Sequence, residues 1–124
     1  MALRVSNSAP REIRLTPEFQ RRLKKLAKKY PQVRSDLEPI LKRLSSGEML
    51  GDQIAGIGFS VFKVRIKNSD NQKGKSGGYR LIYWLRLKEV AVLLDIYSKS
   101  GRSDIEVSDI YQIINRFSEE SDKD

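Results

Sequence analysis

Apolar residues recur at helical spacing in two consecutive segments near the N-terminus. They are Phe19, Leu23, Leu26, Ala27 and Tyr30 in the first segment, and Val33, Leu37, Ile40, Leu41 and Leu44 in the second. A first helix is predicted to start after Thr16, because threonine is a good N-cap and the proline that follows suits the first helical position. Pro39 is tolerated only near the first turn of a helix, so the second helix is predicted to begin around Ser35 or Asp36 and to close at Gly47. The two segments predict an antiparallel helical hairpin.

Alternation of apolar and polar residues predicts strands before and after this hairpin. Residues 11–16 are typical of a short edge strand, and residues 61–67, 79–87 and 90–98 are typical of longer ones. The middle of the last strand is apolar on both faces, which indicates that both faces are covered. Residues 104–117 return to helical spacing. The predicted fold is α+β: a single compact domain of β-α-α-β-β-β-α order, with the helical hairpin and a C-terminal helix packed on a small antiparallel sheet.

The two ends of the chain lack these patterns. Residues 1–10 are predicted to form a loose N-terminus, residues 11–117 the folded domain and residues 118–124 an acidic disordered tail. No apolar run approaches the ~20 residues that a membrane-spanning helix needs. We therefore expect a cytoplasmic protein with no membrane partner.

The amino-acid composition narrows the chemistry that the chain can perform. Its 124 residues include no cysteine and no histidine, which removes disulfides, thiolate nucleophiles and the commonest general acid–base residue. The net charge of +8 favours an anionic partner, such as nucleic acid, an anionic surface or an acidic protein. The carboxylates are scattered and form no D-x-D pair on a strand near the basic residues, so the sequence does not indicate a metal site.

Gly74-Lys75-Ser76 matches the end of a P-loop, the phosphate-binding loop of many nucleotide-binding proteins. A P-loop also requires a glycine five positions before Gly74, at position 69, and a helix after the loop. Position 69 is Ser69, and the residues after the loop have the aromatic and β-branched content of a strand. We therefore interpret the segment as a hairpin loop and not as a nucleotide site.

Positive charge is concentrated between Val61 and Arg80, where six cations accompany a single acid, Asp70. The cations are Lys63, Arg65 and Lys67 on one strand face, Lys73 and Lys75 in the loop, and Arg80 in the next strand. Solvated faces usually mix both signs of charge, so we interpret the cluster as a phosphate-binding surface, with a solvated lysine-rich face as the alternative. Among the aromatic residues, Trp84 is predicted to belong to the core, whereas Tyr97, at a strand end, is the better candidate for function.

Three stretches of the chain resemble the RelE/HigB branch of the RelE/ParE toxins of bacterial toxin–antitoxin systems. They are GDQIAGIGFSVFKVRI (51–66), KGKSGGYRLIYWL (73–85) and LLDIYSKSGRSDI (93–105). The resemblance implies the compact RelE-like fold and a toxin that is a ribosome-dependent mRNA endonuclease, or mRNA interferase. It implies attack by the 2′-hydroxyl of the RNA on the adjacent phosphate, with no metal or other cofactor. The implied partners are a cognate antitoxin, the ribosome, mRNA and, through the antitoxin, operator DNA.

The same resemblance assigns roles to single residues. The catalytic residues it predicts are Lys63, Arg65, Arg80, Tyr97 and Lys99, and the RNA-binding residues are Lys67, Lys73, Lys75 and Arg102. Arg80 is predicted to clamp the phosphate, and the basic residue after the last strand corresponds to Lys99 or Arg102. Glu106 stands about where some family members have a tyrosine. Tyr97 is the candidate substitute, and the identity of the general acid and base stays open.

Other functions are also compatible with this sequence. One is a non-enzymatic, ParE-like inhibitor of a protein target such as gyrase, and another is an inactive RNA-binding relative. A protein-directed inhibitor does not need a dense set of cations on its strands, and this favours the endonuclease.

Overall fold

The computed structural model describes residues 10–70, 77–100 and 104–122. Their elements follow one another along the chain as β1 (Glu12–Leu15), α1 (Pro17–Lys29), α2 (Val33–Ser45), β2 (Asp52–Gln53), β3 (Val61–Ile66), β4 (Tyr79–Arg86), β5 (Val90–Ser98) and α3 (Val107–Asp122). The α+β class is confirmed, with β2 as an additional strand that is too short to show alternation. No helix in these ranges is long and apolar enough to cross a bilayer.

The strands form a single sheet in the order β1-β5-β4-β3-β2. The pairs β2–β3, β3–β4 and β4–β5 are antiparallel, whereas β1 runs parallel to β5. The sheet is therefore mixed, whereas a purely antiparallel sheet was predicted. Alternation along a strand shows which way side chains point, but it carries no information about the direction of the neighbouring strand.

Helix α1 begins at the predicted N-cap and is fastened there to β5. The Thr16 hydroxyl accepts a hydrogen bond from the Phe19 N–H at 3.1 Å and donates one to the Leu93 carbonyl at 2.9 Å. Pro17 occupies the first turn, and the helix ends at Lys29, with Tyr30 as its C-cap just before Pro31. The cap thus fixes the start of α1 beside the middle of β5.

Helix α2 begins at Val33, earlier than predicted, so that Pro39 lies inside the helix. Proline has no N–H to donate to the carbonyl of Ser35, one turn earlier. Both residues are exposed, so water can satisfy that carbonyl and the helix continues through the proline. The prediction was wrong because the rule against an interior proline is weaker on an exposed helix face.

Both faces of the sheet are covered, as the apolar middle of β5 predicts. On one face, α1 and α2 pack on the sheet around Phe19, Val33, Leu37, Leu44, Leu81 and Tyr83. On the other face, α3 packs through Ile110, Ile113 and Ile114 on Ile82, Val92 and Trp84. Trp84 is buried, which confirms its assignment to the core.

Helix α3 starts and ends later than predicted. Residues 104–106 precede it, and it continues beyond Phe117 to Asp122. The first residues of the segment predicted as a disordered tail are therefore helical. Glutamate has a high helix propensity, so the acidic composition of this segment does not oppose a helix.

Candidate active site

Strand register brings four of the predicted site residues onto the sheet face that α3 also covers. Arg65 on β3 lies opposite Arg80 on β4, and Arg80 lies opposite Tyr97 on β5. Lys63 is two residues before Arg65 on the same strand, so it shares their face. The row Arg65–Arg80–Tyr97, with Lys63 beside it, lies where β3 ends and β4 begins.

Gly78 allows β3 and β4 to approach closely at this end. Its φ is +80°, and a Cβ at this position would lie 2.5 Å from the carbonyl oxygen of Ile66. A residue with a side chain would therefore have to push the ends of the strands apart. The Gly78 carbonyl also accepts the Lys99 N–H at 3.0 Å, which places Lys99 beside the start of β4. As predicted, a strand and not a helix follows the glycine-rich segment.

Arg80 is a buried cation without an acidic partner among the described residues. Its residue is only 8% exposed. One guanidinium nitrogen donates to the carbonyls of Gly77 and Tyr79, each at 3.3 Å. Within the described ranges no carboxylate lies close enough to form an ion pair with it. A buried charge held only by long hydrogen bonds to neutral groups is costly, and an anionic ligand would relieve that cost.

Lys63, Tyr97 and Lys99 converge on a residue that the sequence did not single out, Asp104. The Asp104 carboxylate lies 3.2 Å from Lys63 Nζ and 3.9 Å from Lys99 Nζ. It also accepts a hydrogen bond from the Tyr97 hydroxyl at 3.3 Å. The hydrogen bond from Lys63 is the main reason that the pKa of Asp104 lies below its ordinary value, so this carboxylate is ionised at neutral pH.

Tyr97 is buried, although its position at a strand end indicated an aromatic ring available for function. Its residue is only 2% exposed, because the ring packs in the core beneath α3. The ring therefore cannot stack on an RNA base in this arrangement, and only its hydroxyl reaches the site. A β-bulge in the pairing of β4 and β5, between Ile82 and Tyr83, sets the register that brings Tyr97 opposite Arg80.

The remaining predicted residues lie at the rim or outside the described ranges. Arg65 and Lys67 are exposed. The segment after Lys67 is tied to α2, because the Asp36 carboxylate accepts the Ser69 N–H at 2.9 Å. Lys73, Lys75 and Arg102 lie outside the described residues. Glu106 is exposed, and its carbonyl accepts the N–H groups of Asp109 and Ile110 in the first turn of α3.

A basic groove between α1 and α3 is a second feature that the sequence analysis missed. The groove has a volume of about 550 Å³ and is lined mainly by Arg21, Arg22, Lys24, Lys25, Lys28 and Arg116. Two of the cations that line the groove are paired with acids. The Asp95 carboxylate lies 3.7 Å from Arg22 Nε, and the Glu18 carboxylate lies 2.7 Å from Arg116 Nε. A smaller cleft shares Arg22 and Lys25 with it and is bounded by Tyr97. The signal in the sequence was the excess of cations in α1.

Comparison with known proteins identifies the family. A family model described as the RelE toxin of the RelE/RelB toxin–antitoxin system matches residues 19–120, which include most of α1 and every element from α2 to β5. A search of curated proteins gave no match. The family match spans well over half of the chain and agrees with the observed fold, a helical hairpin and a C-terminal helix on a small sheet. The chain therefore belongs to the RelE family of toxins of toxin–antitoxin systems.

Proposed function

We propose that this toxin is an endoribonuclease that cleaves mRNA on the ribosome. The observation that supports this most strongly is Arg80, a buried cation with no carboxylate partner in the described ranges, opposite a second arginine, Arg65. Like charges directly opposite each other on adjacent strands destabilise a sheet. Such an arrangement becomes favourable when a phosphate lies between or above the two guanidinium groups, because arginine binds phosphate oxygens with paired hydrogen bonds.

The reaction uses the RNA itself as nucleophile. The 2′-hydroxyl oxygen attacks the adjacent phosphorus, the bond from phosphorus to the 5′-oxygen breaks, and a 2′,3′-cyclic phosphate and a 5′-hydroxyl result. Arg80 and Arg65 neutralise the charge that develops on the phosphate, and they orient the backbone for in-line attack. Lys63, Lys99 and the Tyr97 hydroxyl, which meet at Asp104 beside the two arginines, are the proposed candidates to give a proton to the leaving 5′-oxygen or to take one from the nucleophile.

Membership of the family implies a cognate antitoxin as a partner. Under this proposal the other partners are the ribosome and its bound mRNA, with operator DNA reached through the antitoxin. The RNA-binding roles proposed for Lys67, Lys73, Lys75 and Arg102 are to hold backbone phosphates on either side of the scissile one.

The test is an in vitro translation reaction in which primer extension maps mRNA ends. We expect new 5′ ends in the presence of the toxin and of ribosomes. Arg80→Met should lower the cleavage rate about a hundredfold or more, as loss of a charge-stabilising donor does in other enzymes. Arg86→Met is the matched control, because Arg86 is at the other end of β4, where its guanidinium lies over the Trp84 ring.

Each of the other possible results has a clear meaning. Intact mRNA together with salt-sensitive RNA binding would identify an inactive RNA-binding relative. Intact mRNA together with DNA breaks in cells would identify an inhibitor of a protein such as gyrase. Equal cleavage by the wild type and Arg80→Met would remove Arg80 from the mechanism.

A further inference from the structure

Asp104 is held by cations on two elements that flank the candidate active site. Lys63 belongs to β3 and Lys99 follows β5, and each directs its ammonium group at one of the two carboxylate oxygens. The Tyr97 hydroxyl donates to the oxygen that Lys63 contacts. Two ammonium groups and a phenol around two oxygens that share one negative charge form a donor set suited to an oxyanion.

A phosphodiester presents the same features as this carboxylate. It carries a single negative charge shared by two non-bridging oxygens, each of which accepts hydrogen bonds. Exchange of the Asp104 carboxylate for an RNA phosphate would therefore preserve both the charge balance of Lys63 and Lys99 and the number of hydrogen-bond acceptors.

The contacts of Asp104 are of a kind that a ligand can displace. Its side chain is 56% exposed, and it lies between β5 and α3, outside both elements. Ion pairs between exposed side chains contribute little to stability, so the carboxylate is a weak occupant of a site with strong donors. Arg80, on the same sheet face, has no carboxylate among the described residues. Among the described residues, the half of the cationic surface formed by Lys63 and Lys99 is thus paired with an acid of the chain itself, whereas the buried Arg80 is not.

We propose that Asp104 is an internal competitor of RNA: in the free toxin its carboxylate occupies a phosphate subsite formed by Lys63, Lys99 and the Tyr97 hydroxyl, and bound RNA displaces it. The identity of the ligand rests on the proposed function, whereas the occupied anion site rests on the contacts themselves. In this arrangement the free toxin binds RNA more weakly than its cations allow, because each binding event must first break the contacts of Asp104.

The test compares the binding of single-stranded RNA by the wild type and by Asp104→Asn. The probe is a fluorescently labelled oligonucleotide with 2′-O-methyl groups throughout, which cannot be cleaved, and fluorescence anisotropy gives its Kd. We expect Asp104→Asn to bind about tenfold more tightly, since two exposed ion pairs no longer compete. Thermal unfolding checks that the variant is folded, and the exposure of Asp104 makes a large loss of stability unexpected.

Glu89→Gln is the matched control for net charge. Glu89 is exposed and lies in the turn between β4 and β5, at the opposite end of β5 from Tyr97. The Glu89→Gln substitution removes the same charge as Asp104→Asn, and we expect the Kd of this variant for the oligonucleotide to stay within about twofold of the wild type. In the background of Lys63→Gln with Lys99→Gln, the gain from Asp104→Asn should disappear, because the competing contacts are already lost.

Some results would overturn the proposal. They are an Asp104→Asn affinity equal to or weaker than that of the wild type, an equal gain in Glu89→Gln, or a gain that persists without the two lysines. The proposal would also be overturned if Asp104→Asn no longer cleaved mRNA and did not bind the oligonucleotide more tightly. Asp104 would then serve the reaction itself.

The binding experiment keeps this inference separate from the proposed function. If the wild type does not cleave mRNA, the endonuclease proposal fails, yet the anion site can still be measured. Competition of inorganic phosphate with the labelled oligonucleotide should then be stronger in Asp104→Asn than in Glu89→Gln. If cleavage is observed but the affinities do not differ, the endonuclease stands and the competitor role of Asp104 falls.

Discussion

Arg80→Met is expected to make the folded protein more stable while it removes the proposed phosphate clamp. Desolvation of a buried guanidinium costs ~3–5 kcal/mol. Its two hydrogen bonds, both at 3.3 Å to neutral carbonyls, return only ~1 kcal/mol each, because they are long. The cross-strand neighbour Arg65 adds a further repulsion of ~0.2–1 kcal/mol. Methionine has a similar length and no charge, so the free energy of unfolding should rise by about 1–4 kcal/mol.

The assay is urea unfolding followed by circular dichroism, with the midpoint and the slope fitted separately. A rise in the midpoint at an unchanged slope would show a change in stability and not in the size of the unfolding transition. In a thermal scan the same gain corresponds to roughly 4 °C for each kcal/mol in a chain of this size. Opposite effects on stability and cleavage are typical of a residue kept for function.

Arg65→Met is the control for this prediction. Arg65 faces Arg80 across the strands but is exposed, so its replacement relieves only the repulsion and should change stability by less than about 1 kcal/mol. If Arg80→Met instead lowers the free energy of unfolding, the guanidinium contributes net stability through its carbonyl contacts. The view of Arg80 as an unsatisfied cation would then be wrong.

Further predictions concern the core and the start of β4. The hydroxyl of Tyr79 is buried and has no hydrogen-bond partner in the described ranges, so Tyr79→Phe should leave the urea midpoint unchanged or raise it. Tyr83→Phe should lower stability by about 1–3 kcal/mol in the same assay, because the Tyr83 hydroxyl both donates to the Leu50 carbonyl and accepts its N–H; an equal effect of the two substitutions would contradict this. Gly78→Ala should cost about 2 kcal/mol or more and lower RNA affinity as well, since the new methyl group would contact the Ile66 carbonyl; a neutral result in both measurements would show that the strand ends tolerate separation.

The features that the sequence predicted well are those set by neighbouring residues in the chain. Alternation in β3 placed Lys63 and Arg65 on the face opposite Phe62 and Val64, because successive side chains of a strand point to opposite faces. The N-cap of α1 was also correct, since Thr16 and the residues after it form a local signal.

The features that the sequence did not predict depend on residues far apart. Asp104 is 41 positions from Lys63, and no local pattern indicates that the two side chains meet. The register that sets Arg80 opposite Tyr97 depends on a bulge that alternation does not show. Pro39 was a different case, in which a sound local rule gave the wrong start of α2 because the helix face is exposed.

The distribution of aromatic residues between the two cores gives this protein a built-in optical probe. Its single tryptophan, Trp84, lies under α3, where its ring packs edge to face on that of Phe117 with the ring centroids 6.4 Å apart. Tyr30, Tyr79 and Tyr83 are in the core on the other side of the sheet. Fluorescence excited at wavelengths that only tryptophan absorbs therefore reports on the α3 side of the sheet. Circular dichroism, in contrast, reports on all helices. Comparing the two signals during unfolding or binding would show whether α3 loosens separately from the helical hairpin.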